Sequence, residues 1–155
     1  MSNQPFIRPL RNWNGERGQA LIELALTLPA LILLLLGAAE LARLAFAGIE
    51  VANAARAAVQ YGSQSSTLAA DTTGIRTAAQ NEVPNITLGT TIVSTSCICS
   101  NGTASTCLTT DCSTSNLTKT ITVQTQVDFD PLIHIPGLPQ TFTLHGRAVQ
   151  RVIGQ

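Results

Sequence analysis

The chain has 155 residues, enough for one domain of ordinary size, with 45% apolar and 12% charged residues and a mean hydropathy of +0.24. That apolar content excludes a solvated disordered polymer. Nine basic and nine acidic residues cancel to zero net charge, which leaves no basic excess for phosphate contacts and argues against a nucleic-acid partner, while two His and one Tyr leave few catalytic acids and bases.

Residues 1–18 carry Arg8, Arg11 and Arg17 against Glu16, and Pro5, Pro9 and Gly15 interrupt regular structure there. From Ala20 to Ala39 only Glu23 and Thr27 are polar, a run of the length a helix needs to cross a hydrocarbon core of ~30 Å. A core helix of so small a domain needs a polar face, and Leu31–Leu36 (LILLLL) has none, so the segment reads as membrane-spanning. Three Arg residues before the span hold the N-terminus in the cytoplasm and send the remainder outside, although Arg43 and Arg56 follow it. Arg43 is spaced to pair with Glu40 on the same helical face.

Helical periodicity continues past the span. Leu41, Leu44, Ala45, Gly48, Val51, Ala52, Ala55 and Val59 share one side, and Glu40, Arg43, Glu50, Asn53 and Gln60 fall on the other. Ala dominates the stretch and no Pro breaks it, so one helix is expected from about Gln19 to Tyr61, roughly 65 Å long. This is about twice the bilayer core, and the second half must lay its apolar stripe on its own domain.

Gly62 is the expected stop, and Ser63–Thr67 a Ser-rich link. A shorter helix follows over Asp71–Val83, ended by Pro84. Ser and Thr then make up about half of the residues from Thr87 to Thr125, a composition of exported β structure. Three alternating segments read as strands. The clearest is Leu117–Phe129, with Leu117, Ile121, Val123, Val127 and Phe129 on one face; Ile86–Cys99 is a looser first strand, and Phe142–Val152 a third. Asp130–Gln140 (DPLIHIPGLPQ) is a loop between the last two. Strands with one polar face suit an antiparallel sheet packed on one side only, and the long helix supplies the missing layer. The fold class is α+β: a long N-terminal transmembrane helix on a small antiparallel sheet of about three strands, with a short second helix. Domain boundaries fall at 1–18 for the leader, 19–61 for the helix and 62–155 for an extracytoplasmic Ser/Thr-rich domain.

Cys97, Cys99, Cys107 and Cys112 lie within sixteen residues of one another in the exported half. No C-x-x-C pair is present to suggest zinc, and an oxidising compartment favours disulfides, so no metal is expected. A Cys97–Cys99 bridge would close an unusually tight ring. Two pairings remain, 97–107 with 99–112, or 97–112 with 99–107; the second is the nested set that a hairpin turning at Asn101-Gly102 would give.

Glu23 is the residue in the apolar run that calls for a reason, because a carboxylate in a spanning segment costs free energy. It stands five residues after Gly18, in Gly18-Gln19-Ala20-Leu21-Ile22-Glu23, behind a basic leader. This resembles the type IV prepilin processing signal, G|xxxxE, in which a membrane-embedded prepilin peptidase cuts after the Gly. Cleavage at Gly18 would create an α-amino group on Gln19. In a staggered helical bundle, Glu23 of one subunit and that amine of the next would compensate two charges that are each costly alone.

The wider stretch Arg17–Gly62 resembles the signature of the TadE-like family, minor pseudopilins of tight-adherence (Tad) pili. The features that carry the resemblance are Arg17-Gly18-Gln19-Ala20, Glu23, Leu28-Pro29, Glu40-Leu41-Ala42-Arg43 and Asn53-Ala54-Ala55-Arg56, with a last strand ending in Arg147-Ala148-Val149-Gln150-Arg151. Residues 63–116, the four cysteines included, carry none of it. The resemblance implies a pilin-like fold and a structural role in building a thin adhesive filament. The implied partners are other pilin and pseudopilin subunits, the prepilin peptidase, the inner-membrane assembly platform and the lipid bilayer. It implies no cofactor. Ala and Gly along the helix, Gly37, Ala38, Ala39, Ala42, Ala45, Gly48, Ala52 and Ala55 among them, permit close packing on neighbouring helices.

The alternative is a secreted or membrane-anchored extracytoplasmic binding module, with an ordinary signal peptide or anchor. Gly37 and Ala39 would then be the small residues of a cleavage site releasing a chain that begins at Glu40. Glu23 and Thr27 within the apolar run argue against it. An enzyme is not expected: no phosphate loop, nucleophile elbow or metal-ligand pair is legible around His134, His145, Asp128 or Asp130.

Overall fold

The computed structural model describes residues 15–113, 115–134, 137 and 139–153, with side chains from Gly18 onward; most of the expected leader and three residues of the Asp130–Gln140 loop lie outside the described residues. The chain divides into two compact units, Met1–Ala39 and Glu40–Gln155. In the first, all described residues belong to helix α1 (Gly15–Ser63), and every side chain from Gly18 to Ala39 is exposed. α1 is long and apolar enough to cross a membrane, with an 18-residue window of mean hydropathy 2.4. Pro29 sits inside it. Its missing N–H leaves the Ala25 carbonyl without the usual donor, which a spanning helix tolerates.

The second unit is α+β. The rest of α1 is followed by α2 (Ser66–Ala70), α3 (Thr72–Glu82), β1 (Ile92–Cys99), β2 (Ala104–Ser105), a short 3-10 turn (Thr109–Cys112), β3 (Leu117–Phe129) and β4 (Phe142–Arg151). The sheet is antiparallel in the order β2-β1-β3-β4. In β3 the odd positions point inward, with Ile121, Val123, Thr125 and Val127 buried, while Gln124 and Asp128 are exposed on the other side. Ile121 and Val123 meet Ala54, Ala58 and Val59 of α1, Ile75 and Ala79 of α3, and Ala69 of α2 in one core. The expected architecture of one helical layer on one face of an antiparallel sheet is therefore the observed one.

Four details differ from the sequence expectation. The sheet has a fourth, two-residue strand, made where the chain turns at Asn101-Gly102; Gly102 takes φ +89°, a region open to Gly and costly for other residues. A further helix, α2, starts inside the expected Ser-rich link at Ser66, because Ser65 caps it by accepting the Leu68 N–H at 3.1 Å. The first strand begins at Ile92 rather than Ile86. Over 86–88 the Gln80 side chain takes the place of a ladder partner, donating to Ile86 O at 2.7 Å and accepting from Leu88 N at 3.0 Å.

The fourth difference lies in α1. The helix passes through Gly62 and ends at Ser63, and its buried stripe is Ala47, Val51, Ala54, Ala55, Ala58 and Val59, while Leu41 and Ala45 are exposed and Glu50 and Asn53 are half-buried. The helix rolls toward its smallest residues because that roll brings its backbone close to the sheet. A Cβ on Gly62 would lie 2.5 Å from Ile121 Cδ1, and one on Gly146 of β4 would collide with the Val51 carbonyl oxygen. Glycine at both positions serves close approach, not backbone freedom.

Candidate processing and assembly site

Gly18, Gln19 and Glu23 all lie on α1, within the first unit. Gln19 and Glu23 are four residues apart, and so stack on one face of the helix. Thr27, one turn further, donates its hydroxyl to the Glu23 carbonyl oxygen at 3.0 Å, which hides its polarity against the helix backbone. The Glu23 side chain has no such partner: among the described residues nothing bonds or pairs with its carboxylate. It is exposed and surrounded by the exposed apolar residues Leu21, Ile22, Leu24 and Leu26.

Gly18, Gly37 and Gly48 have no heavy atom within 4 Å of where a Cβ would sit. Among the described residues they serve no close approach, yet each costs about 1 kcal/mol of helix stability relative to Ala. In a soluble domain such glycines would be unexplained. Between membrane-spanning helices, glycines let backbones come together.

Residues 18–60 match the family model described as TadE-like protein. Over that stretch α1 is similar to the family. The match begins at Gly18, ends one turn before the end of α1, and covers less than half of the chain. No curated protein and no solved structure gives a significant match.

Beyond the matched stretch, the four cysteines form two disulfides, Cys97–Cys107 and Cys99–Cys112. The expected hairpin at Asn101-Gly102 is present, but the bridges are not the nested set. Register explains this: Cys97 faces Ser105 across the β1–β2 ladder, so Cys107 is its diagonal neighbour, while the backbone of Cys99 bonds to Thr103, four residues short of Cys107. Cys99 instead reaches the 3-10 turn that carries Cys112. Asp111 holds that turn in place, accepting from Thr106 N at 2.7 Å, Thr106 Oγ1 at 2.7 Å and Ser105 Oγ at 3.0 Å. These hydrogen bonds hold the Asp111 carboxyl below the usual carboxylate range, the Thr106 hydroxyl contributing most.

The Glu40–Arg43 pair expected from spacing is present at 3.0 Å. Arg43 also lies over the Phe129 ring, 5.3 Å from its centroid. Beside it, Phe46, Ile86, Val127 and Phe129 line an open groove of about 330 Å³, with Glu50 at its wall. Glu50 Oε2 is buried there without a hydrogen-bond partner. The Tyr61–Asp71 bond and the contacts made by Thr125 and Gly146 were not foreseen; a hydroxyl on the apolar face of a strand and a Gly within another are the only marks they leave in the sequence. His145 is exposed on the polar face of β4, and Asp128 accepts from Thr143 Oγ1 at 2.9 Å.

Proposed function

We infer that this chain is a minor pseudopilin of a tight-adherence type IV pilus, a structural subunit for building a surface-adhesive filament. The observation that carries the reading is the coincidence at Gly18: the TadE-like match begins at the residue that the G|xxxxE motif marks for cleavage, on a helix whose carboxylate at Glu23 has no partner among the described residues. The unsatisfied charge and the unused glycines both point to a partner outside the chain, and a bundle of like helices answers both.

In this reading the precursor is held in the cytoplasmic membrane by α1, with residues 1–18 inside and the α+β domain outside. The prepilin peptidase cuts after Gly18. The new amine on Gln19 then meets Glu23 of a neighbouring pilin or pseudopilin, favouring correct register over sliding. The inner-membrane assembly platform draws the subunit out of the bilayer. The disulfide-stapled loop, Cys97 to Cys112, gives a polar segment with little core of its own a fixed shape in an oxidising compartment.

The test is the N-terminus of the mature protein from its native host, read by intact mass and N-terminal peptide mapping with and without the peptidase. A peptidase-dependent start at Gln19 is expected. A start at Glu40 would replace the reading with a secreted module, and an uncut leader would leave a membrane-anchored domain.

A further inference from the structure

The connection that leaves β3 at Asp130-Pro131 presents two apolar side chains to solvent, Leu132 at 74% and Ile133 at 40% exposure. Its backbone is nevertheless tied down. The Leu132 N–H donates to Glu40 Oε1 at 3.0 Å, and the same oxygen receives Arg43 Nη1 at 3.0 Å. Arg43 is itself laid over Phe129, the last residue of β3. Glu40 directly follows Ala39, the end of the apolar run. A bilayer crossed by that run therefore ends at the residue to which this loop is bonded, whatever else the domain does.

We propose that Leu132 and Ile133 rest in the outer interface of the bilayer as a second lipid contact of the chain. The proposal rests on the membrane-spanning reading of α1. At the boundary between headgroups and acyl chains an exposed Leu gains by leaving water, whereas a bare backbone N–H there is costly. Glu40 meets that second requirement by accepting the Leu132 N–H, and Arg43 balances the carboxylate. Asp130, next to the loop tip, stays at headgroup level. In function, the contact would hold the domain close to the membrane until the subunit is extracted, and extraction would have to break it.

Single-tryptophan variants of the full chain test this in a Trp13→Phe background, in phosphatidylethanolamine–phosphatidylglycerol vesicles with and without brominated acyl chains. Leu132→Trp reports the loop, Leu33→Trp the span, and Leu108→Trp the exposed disulfide loop. We expect bromine to remove most of the emission at 33 and 132 and to leave 108 unchanged, with the 132 emission shifted to the blue. Quenching at 33 alone, with 132 emitting as 108 does, overturns the proposal and leaves the span intact. A blue shift at 132 that grows with protein concentration and ignores bromine also overturns it, in favour of a second copy on the loop. No quenching at 33 removes the span reading and this proposal together.

Discussion

Thr125, on the inward face of β3, donates its hydroxyl to the backbone carbonyl oxygen of Val51 in α1 at 2.8 Å, across 74 residues of sequence. The bond is fully buried, and Gly146 of β4 stands opposite Thr125 with no side chain between its backbone and the same carbonyl. One polar contact and one missing Cβ thus fix how closely the helix approaches the sheet. Thr125→Val keeps the volume and removes the bond, and should lower stability by about 0.5–1.5 kcal/mol. Gly146→Ala forces the helix outward and should cost about 1–3 kcal/mol. Thermal unfolding of the full chain in detergent checks both, and equal stability of Gly146→Ala and wild type would rule out the close approach.

How much of this was legible in the sequence follows from which residues define each feature. The ends of β3 are legible because every second residue of Leu117–Phe129 is apolar save Lys119 and Thr125, and those of α3 because Asp71 and Pro84 bracket it. The roll of α1 was not legible, since its buried stripe is largely Ala and an all-Ala surface has no hydrophobic direction. The motif at Gly18–Glu23 was readable in sequence because its meaning lies in spacing, whereas the Glu40–Leu132 bond joins residues 92 positions apart and leaves no local mark.

Disulfide mapping of non-reduced peptides should find Cys97 joined to Cys107 and Cys99 joined to Cys112. Removing either pair as a double Ser variant should cost about 2–4 kcal/mol in the chain-entropy account, the separations of 10 and 13 residues being similar. A 97–112 peptide pair would refute the observed register of β2.

Asp71 caps α3 by accepting the Gly74 N–H at 2.9 Å and also accepts the Tyr61 hydroxyl at 2.9 Å. The Gly74 bond first, then the Tyr61 bond, hold its carboxyl below the ordinary value of 3.8. A carboxyl with a folded pKa below its unfolded one stabilises the fold above the unfolded pKa, and this is lost as pH falls through the folded pKa. Tyr61 behaves in the opposite sense: accepting the hydroxyl proton in that bond, Asp71 raises the phenol pKa, so its contribution is present below the unfolded pKa and lost as pH rises through the folded one. Asp71→Asn should therefore melt lower than wild type at neutral pH, with the gap closing in acid. A gap that stays constant from neutral pH to well below pH 3.8 would show that the cap does not depend on the charge.

Glu23→Gln separates processing from assembly. Gly18→Leu should block the peptidase-dependent loss of residues 1–18, because a bulky side chain then stands at the scissile position, where a Cβ meets no atom of the described residues. Glu23→Gln keeps the shape of the side chain and removes the charge that is proposed to meet the neighbour's amine. It should be cut normally yet fail to enter filaments, since leaving one member of a desolvated pair without the other costs about 3–5 kcal/mol. The variant should then accumulate in the membrane fraction with a Gln19 terminus, scored by peptide mapping of sheared pili against membranes. Normal incorporation of Glu23→Gln would mean that register is set by packing at Gly37 and Gly48 instead, where the helix surface is open to a neighbour. Gly37→Leu would then be the variant that blocks assembly.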